Sequence, residues 1–80
     1  QFLEALFTRL GLEFIPTHAN FILVKVGDGD ALFHHAMKKG VILRAMRAYG
    51  LPDWIRVSIG TMPQNQKFAA ILEAWLPSQV

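Results

Sequence analysis

The sequence contains no cysteine, no long apolar run and no cluster of basic residues, and each absence excludes a class of protein. Without cysteine there is neither a disulfide framework nor a cysteine zinc site, and the cytoplasm is the default compartment. No apolar run approaches the ~20 residues of a membrane helix, so we expect no membrane partner. The formal net charge is only +2, and no basic run exceeds Lys38-Lys39, which does not predict nucleic-acid binding.

The common catalytic and metal-binding patterns are also missing. Ser58 has no histidine at a fixed spacing, no paired carboxylates occur, and no lysine stands in a context that marks a Schiff base. Gly27-Asp28-Gly29 lacks the spacing of a phosphate loop, which indicates a simple turn. No carboxylate or cysteine completes a metal site with His18, His34 and His35, and adjacent helical histidines point about 100° apart. The chain is therefore predicted to bind or dock rather than to carry chemistry itself.

Apolar residues are abundant instead. They make up 52% of only 80 residues, enough for one domain spanning residues 1–80. So short a chain buries only about 60% of its unfolded surface, which predicts marginal independent stability. The sequence starts at Gln1, directly in a helical period. We therefore expect a piece of a longer protein, or a domain expressed alone, whose apolar surface partly meets something outside it.

Hydrophobic periodicity predicts a small α/β (α+β) domain in the order α-β-α-β-β-α, with helices packed on a three-stranded sheet. The first helix ends at Gly11, and residues 12–20 form an irregular connector because of Pro16. Asp30 is the expected cap of the second helix, and a Thr61–Gln64 capping box begins the third. The predicted strands are residues 21–26, 41–46 and 54–59. The first is expected to be covered on both faces, and the strand–helix–strand unit allows the first two to run parallel.

Two arginines lie inside apolar strands. Alternation over residues 54–59 places Arg56 on the face opposite the branched aliphatic side chains. The same alternation over residues 41–46 can place Arg44 and Met46 on that face, which predicts a mixed apolar and cationic binding surface. Whether the two arginines are neighbours depends on the hairpin register, which the sequence leaves open.

These arginines suggest an anion site. A guanidinium pairs bidentately with carboxylate or phosphate, so Arg44 and Arg56 together could hold a dianion or a phosphorylated substrate. The alternative is that both are surface residues with snorkelling stems. Asn20, just before the first strand, either points at a ligand or makes a local turn or strand-entry hydrogen bond.

An ordered series of motifs resembles one enzyme family over nearly the whole chain. The motifs are Pro-Thr-His-Ala-Asn-Phe at residues 16–21, Gly-Val-Ile-Leu-Arg at 40–44, Tyr-Gly-Leu-Pro at 49–52, Ile-Arg-Val-Ser-Ile-Gly-Thr at 55–61, and Asn65. Together they resemble the C-terminal small domain of histidinol-phosphate aminotransferases. These are pyridoxal-phosphate-dependent aminotransferases of fold type I.

The resemblance implies a cytoplasmic homodimer in histidine biosynthesis that moves an amino group between histidinol phosphate and 2-oxoglutarate. It implies that pyridoxal 5'-phosphate is bound as a Schiff base on a lysine of a large domain outside this chain. No catalytic or cofactor-binding residue is therefore expected among these 80, and the isolated chain should be inactive. By motif match, Arg56 is the arginine that binds the anionic group of the substrate, and Arg44 is the second candidate for its phosphate. Asn20 matches a conspicuous motif position and is only a candidate for a place near the substrate, with no role assigned to it.

The sequence departs from the family pattern at two places. Residues 61–65 read Thr-Met-Pro-Gln-Asn where the family has Thr-x-Glu-Glu-Asn, and Ala45 stands where proline is frequent. Members with similar motifs include aromatic aminotransferases and a threonine-phosphate decarboxylase, so these substrates stay open. So does a different class of protein, a non-catalytic α/β domain that uses Arg44 and Arg56 for an anion or a protein partner.

Overall fold

The computed structural model describes residues 2–16 and 19–79. Within these residues, three helices and four strands form the fold. A short 3₁₀ turn at Arg47–Tyr49 precedes the last strand, and another at Leu76–Gln79 follows the last helix. The bounds in chain order are α1 Phe2–Arg9, β1 Phe14–Pro16, β2 Phe21–Lys25, α2 Gly29–Lys38, β3 Arg44–Ala45, β4 Trp54–Ser58 and α3 Met62–Trp75. The α/β class expected from periodicity is therefore confirmed.

The sheet has four strands in the order β1-β2-β4-β3, and every neighbouring pair is antiparallel. The prediction of three strands was wrong because the connector after α1 contains β1. Pro16 does not prevent this strand, since it is the last residue of an edge strand, where a missing N–H removes no essential ladder bond. The element order is accordingly α-β-β-α-β-β-α.

Strands β2 and β3 run in the same direction, but they are not partners. Strand β4 lies between them and pairs antiparallel with both. The predicted strand over residues 41–46 was also too long, because only Arg44–Ala45 pairs with β4. Met46, expected on the mixed face, is buried beyond the end of β3, where the chain turns into Arg47–Tyr49.

Local signals set most helix ends. The capping box of α3 is confirmed, since the Thr61 side chain accepts from the Gln64 N–H and the Gln64 side chain accepts from the Thr61 N–H. The cap of α2 is Asp28 rather than Asp30, and its carboxylate accepts the Ala31 N–H at 3.0 Å. None of the helices in the described part of the chain is long and apolar enough to cross a membrane.

The Gly27-Asp28-Gly29 turn packs against the loop that precedes β4. The Gly29 N–H donates to the Pro52 carbonyl at 3.0 Å. A Cβ at Gly29 would collide with the Trp54 carbonyl, so only glycine permits this approach. The N–H groups of Gly29 and Ala31 are thus already bonded, which agrees with a turn rather than a phosphate loop.

The core lies on one face of the sheet, which we call the helix-covered face. Strands β2 and β4 contribute alternate aliphatic residues, and buried apolar residues of the three helices cover them. Phe7 of α1 packs with ring centroids 5.8 Å from Phe14 and 6.3 Å from Phe68. The strand residues buried here are Ile22, Val24, Ile55 and Val57.

We call the other side of the sheet the open face. Strand alternation places eight residues on it, and none belongs to the core. The expectation that β2 is covered on both faces was wrong for the described residues, because Phe21 and Leu23 are only half-buried. The eight residues are Ile15, Phe21, Leu23, Lys25, Arg44, Trp54, Arg56 and Ser58.

Candidate functional site

Arg44 and Arg56 lie directly opposite each other on the open face. The register of the β3–β4 pair makes their Cα atoms partners. Arg56 in turn faces Leu23 on β2, and Leu23 faces Ile15 on β1. One row across the sheet therefore runs from an apolar half to a cationic half. The register that the sequence left open is the one that brings both arginines together.

This arrangement places two like charges side by side. Like charges directly opposite in a sheet are destabilising. Within residues 2–16 and 19–79, neither guanidinium forms an ion pair with a carboxylate. A bound anion would relieve the repulsion, so the pair is suited to a ligand with more than one negative charge.

The other two arginines of the chain are paired with carboxylates. Arg9 of α1 lies 3.3 Å from Glu73 of α3, measured from Nη2 to Oε2. Arg47 donates from Nε to Asp30 at 2.6 Å. This hydrogen bond, together with the charge of Asp30, raises the pKa of Arg47 above its ordinary value. Arg44 and Arg56, which lie inside apolar strands, are thus the two arginines without a carboxylate partner in the described part of the chain.

Phe21 supports the Arg56 side chain. The Arg56 Cζ atom lies 4.7 Å from the centroid of the Phe21 ring, within the range of a cation–π interaction. The ring attracts the cation without cancelling its charge. Arg56 therefore keeps its capacity to bind an anion while its position is restrained.

A small concavity opens at the two arginines. Its volume is about 130 Å³, and its lining consists of Ile42, Leu43, Arg44, Arg56 and Ser58. A larger cleft of about 370 Å³ adjoins it and shares Ile42, Leu43 and Ser58, but extends towards Lys67 and contains neither arginine. The smaller concavity is the better candidate for an anionic group, since both unpaired cations line it.

Asn20 lies at the entrance of β2 and is exposed. Its backbone carbonyl accepts the Ile59 N–H at 2.7 Å, which extends the β2–β4 pairing by one bond. The strand-entry bond considered for this residue is thus made by the backbone rather than by the side chain. The motif residues Thr17 and His18 lie outside the described residues.

Asn65 is a polar residue of the family motif to which the sequence alone assigns no role. It is buried on α3, where its Oδ1 accepts the Gly60 N–H at 3.0 Å and its Nδ2 donates to the Gly60 carbonyl at 3.3 Å. A Cβ at Gly60 would collide with the Gln64 side chain. These contacts hold the chain where it leaves the Arg56 strand. The capping-box pattern of Thr61 and Gln64, next to Asn65, was the sequence signal that could have pointed to this contact.

The remaining candidates form no site. In the described ranges, no group of three or more histidine, cysteine or acidic side chains could hold a metal ion. His34 contacts Phe33 edge-on, with ring centroids 5.3 Å apart. All four lysines are exposed, whereas a Schiff-base lysine is activated by desolvation or a neighbouring cation.

Comparison with known families agrees with the resemblance seen in the motifs. The family model for aminotransferase class I and II matches residues 1–72. The chain belongs to this family. Members of the family depend on pyridoxal phosphate, which is the cofactor expected from the motifs. Arg44 and Arg56 of the open face both lie within the residues that match the family model.

Several curated relatives are histidinol-phosphate aminotransferases. The protein of Akkermansia muciniphila is 49% identical over 73 residues, which cover 91% of this chain and 20% of that protein. Histidinol-phosphate aminotransferase 1 of Dechloromonas aromatica is 48% identical over 65 residues, 81% of this chain and 18% of that protein. The chain therefore spans about a fifth of the length of these enzymes.

A solved structure has the same fold. A Burkholderia pseudomallei K96243 protein, assigned as an aminotransferase, superposes with a TM-score of 0.81 and 26% identity. The match covers 92% of this chain and 23% of that one. Recognition of the aminotransferase family from the motifs is confirmed, as is the α/β class.

Proposed function

We propose that this chain is the substrate-binding small domain of a histidinol-phosphate-type aminotransferase. The observation that carries the proposal is the opposed Arg44–Arg56 pair, which no carboxylate of the described residues neutralises. The phosphate of histidinol phosphate is a dianion with oxygens on several sides, and two guanidiniums can bind it together. The names of the relatives favour this substrate over other phosphorylated or aromatic amines.

In this proposal Arg56 is the principal ligand of the phosphate, and Arg44 is the second. Arg56 is half-buried and restrained by Phe21, so little side-chain freedom is lost when an anion binds. Arg44 is exposed at the edge of the sheet and completes the concavity. Asn20 borders the same face and is proposed to lie near the substrate. The acceptor 2-oxoglutarate would present its carboxylate to the same arginines.

The chemistry is proposed to depend on parts of the enzyme outside this chain. Pyridoxal phosphate supplies the electron sink for amino transfer, and its lysine belongs to the large domain of a cytoplasmic homodimer. The contribution of this chain is then to bind and orient the anionic end of the substrate, and the isolated domain is expected to be inactive.

Substitution of Arg56 tests the assignment. In the full-length enzyme that carries this chain, we expect Arg56→Ala to raise KM for histidinol phosphate at least about tenfold, because lost charge-assisted hydrogen bonds cost roughly 1.5–3 kcal/mol. Arg9→Ala is the matched control, since it removes the same charge from a salt bridge between α1 and α3. Steady-state kinetics measure both variants.

The phosphate-free substrate separates anion binding from general damage. If Arg56 binds the phosphate, wild type and Arg56→Ala should differ much less with histidinol than with histidinol phosphate. An equal loss with both substrates would contradict the assigned role. Relative kcat/KM values for histidinol phosphate, aromatic amino acids and threonine phosphate decide between the members of the family. Absence of activity with all of them would favour a non-catalytic anion- or protein-binding domain.

A further inference from the structure

The position of Arg56 needs an explanation beyond the strand that carries it. Its side chain is long, and the charge of Arg44 directly across the strand pair repels it. No carboxylate among the described residues holds it in place. The Arg56 guanidinium instead contacts the Phe21 ring, whose centroid lies 4.7 Å from the Cζ atom.

Strand register explains how Phe21 reaches Arg56. Phe21 on β2 faces Ser58 on β4, and Arg56 lies two residues before Ser58 on the same face. Such diagonal neighbours are within reach of an aromatic ring and a long side chain. The backbone bond from Ile59 N–H to the Asn20 carbonyl closes this end of the strand pair immediately beside Phe21. The ring is therefore attached at a well-defined point of the sheet.

We propose that Phe21 is a positioning residue for Arg56, acting on substrate binding through the guanidinium. The ring draws the cation towards β2, away from Arg44, so that the two guanidiniums stand apart and both remain available to one dianion. A carboxylate in the place of Phe21 would also attract Arg56, but it would neutralise the charge that the substrate needs. This inference rests on the proposed phosphate-binding role of Arg56.

The first test compares aromatic and aliphatic residues at position 21 in the full-length enzyme. We expect Phe21→Leu to raise KM for histidinol phosphate about three- to fivefold, the loss typical of a partly exposed cation–π contact, with kcat changed less than about twofold. The inhibition constant of inorganic phosphate should rise by the same factor. Phe21→Tyr keeps the ring and should stay within about twofold of wild type.

Phe14→Leu is the matched control. Phe14 is also a partly buried phenylalanine on a strand, but its ring packs against Phe7 on the helix-covered face. This substitution should lower the thermal unfolding temperature and leave KM unchanged. A rise in KM for Phe14→Leu equal to that for Phe21→Leu would overturn the proposal, because any lost ring would then have the same effect.

A double-mutant cycle gives the decisive readout. If Phe21 acts through Arg56, Phe21→Leu should not raise KM further in an Arg56→Ala background. A full additional effect there, or a Phe21→Tyr variant as impaired as Phe21→Leu, overturns the positioning role while leaving the role of Arg56 intact. If Arg56→Ala alone leaves KM unchanged, the proposed phosphate site itself fails, and the inference fails with it.

Discussion

The two faces of the sheet are formed by the same strands but differ in side-chain chemistry and burial. The helix-covered face carries Ile22, Val24, Ile55 and Val57, each nearly inaccessible to solvent. The open face carries two arginines opposite each other and apolar side chains that are half-buried or exposed. A single residue step along β4 moves from Ile55 in the core to Arg56 in the candidate site. Because side chains alternate along a strand, the core and the candidate site lie on opposite faces of the same strands.

The largest expected effect comes from the helix-covered face. Ile55→Ala should lower the free energy of unfolding by about 2–5 kcal/mol, because it empties a fully buried site. Leu23→Ala on the open face should cost only about 1 kcal/mol in the isolated chain, since Leu23 is half-buried. Urea denaturation measures both, and Ile55→Val gives a milder variant if Ile55→Ala does not fold. Equal costs at the two positions would mean that the faces do not differ in packing.

An intermediate effect is expected at Asn65, which joins α3 to the backbone that follows β4. Asn65→Ala removes both hydrogen bonds to the Gly60 backbone and should cost about 1–3 kcal/mol of unfolding free energy. Gln66→Ala, at an exposed position of the same helix, should change stability by less than about 0.5 kcal/mol. Chemical denaturation of the two variants provides the comparison. A neutral Asn65→Ala would show that the end of β4 is held mainly by the capping box.

The smallest expected effect is an increase in stability from the open face. Arg44→Gln keeps most of the stem but removes one of two opposed charges, so it should raise the free energy of unfolding by up to about 1 kcal/mol at low salt. The gain should shrink as salt screens the repulsion. Arg47→Gln breaks the ion pair with Asp30 and should act in the opposite direction. Thermal denaturation at two ionic strengths distinguishes the signs.

The effect of phosphate on stability tests whether the open face holds an anion site. A ligand that binds only the folded state stabilises it in proportion to its occupancy. Phosphate should therefore stabilise the wild-type chain more than chloride does at equal ionic strength, and this difference should be smaller for Arg44→Gln. An identical response to the two salts in both proteins would contradict an anion site formed by the arginine pair.

Much of the fold could be predicted because its signals are local. The stripes of α1 and α3 and the Thr61–Gln64 capping box are set by residues within two helical turns, and the structure confirms them. The errors came where distant pairing overrides local preference. Strand β1 exists because β2 offers an edge, although Pro16 argued against it. Asp28 rather than Asp30 caps α2, and Asp30 instead pairs with Arg47, 17 residues along the chain.

For the candidate site, too, the local properties could be predicted and the long-range ones could not. The sequence by itself determined that Arg44 and Arg56 lie in strands, that Arg56 faces away from the aliphatic residues, and that the motifs belong to the aminotransferase family. Only the tertiary structure decided that the two arginines are opposite each other, that Phe21 lies against Arg56, and that carboxylates neutralise Arg9 and Arg47 instead. The physical reason is that alternation along one strand is a local steric property, whereas register is a relation between strands, and every neighbour of Arg56 depends on it.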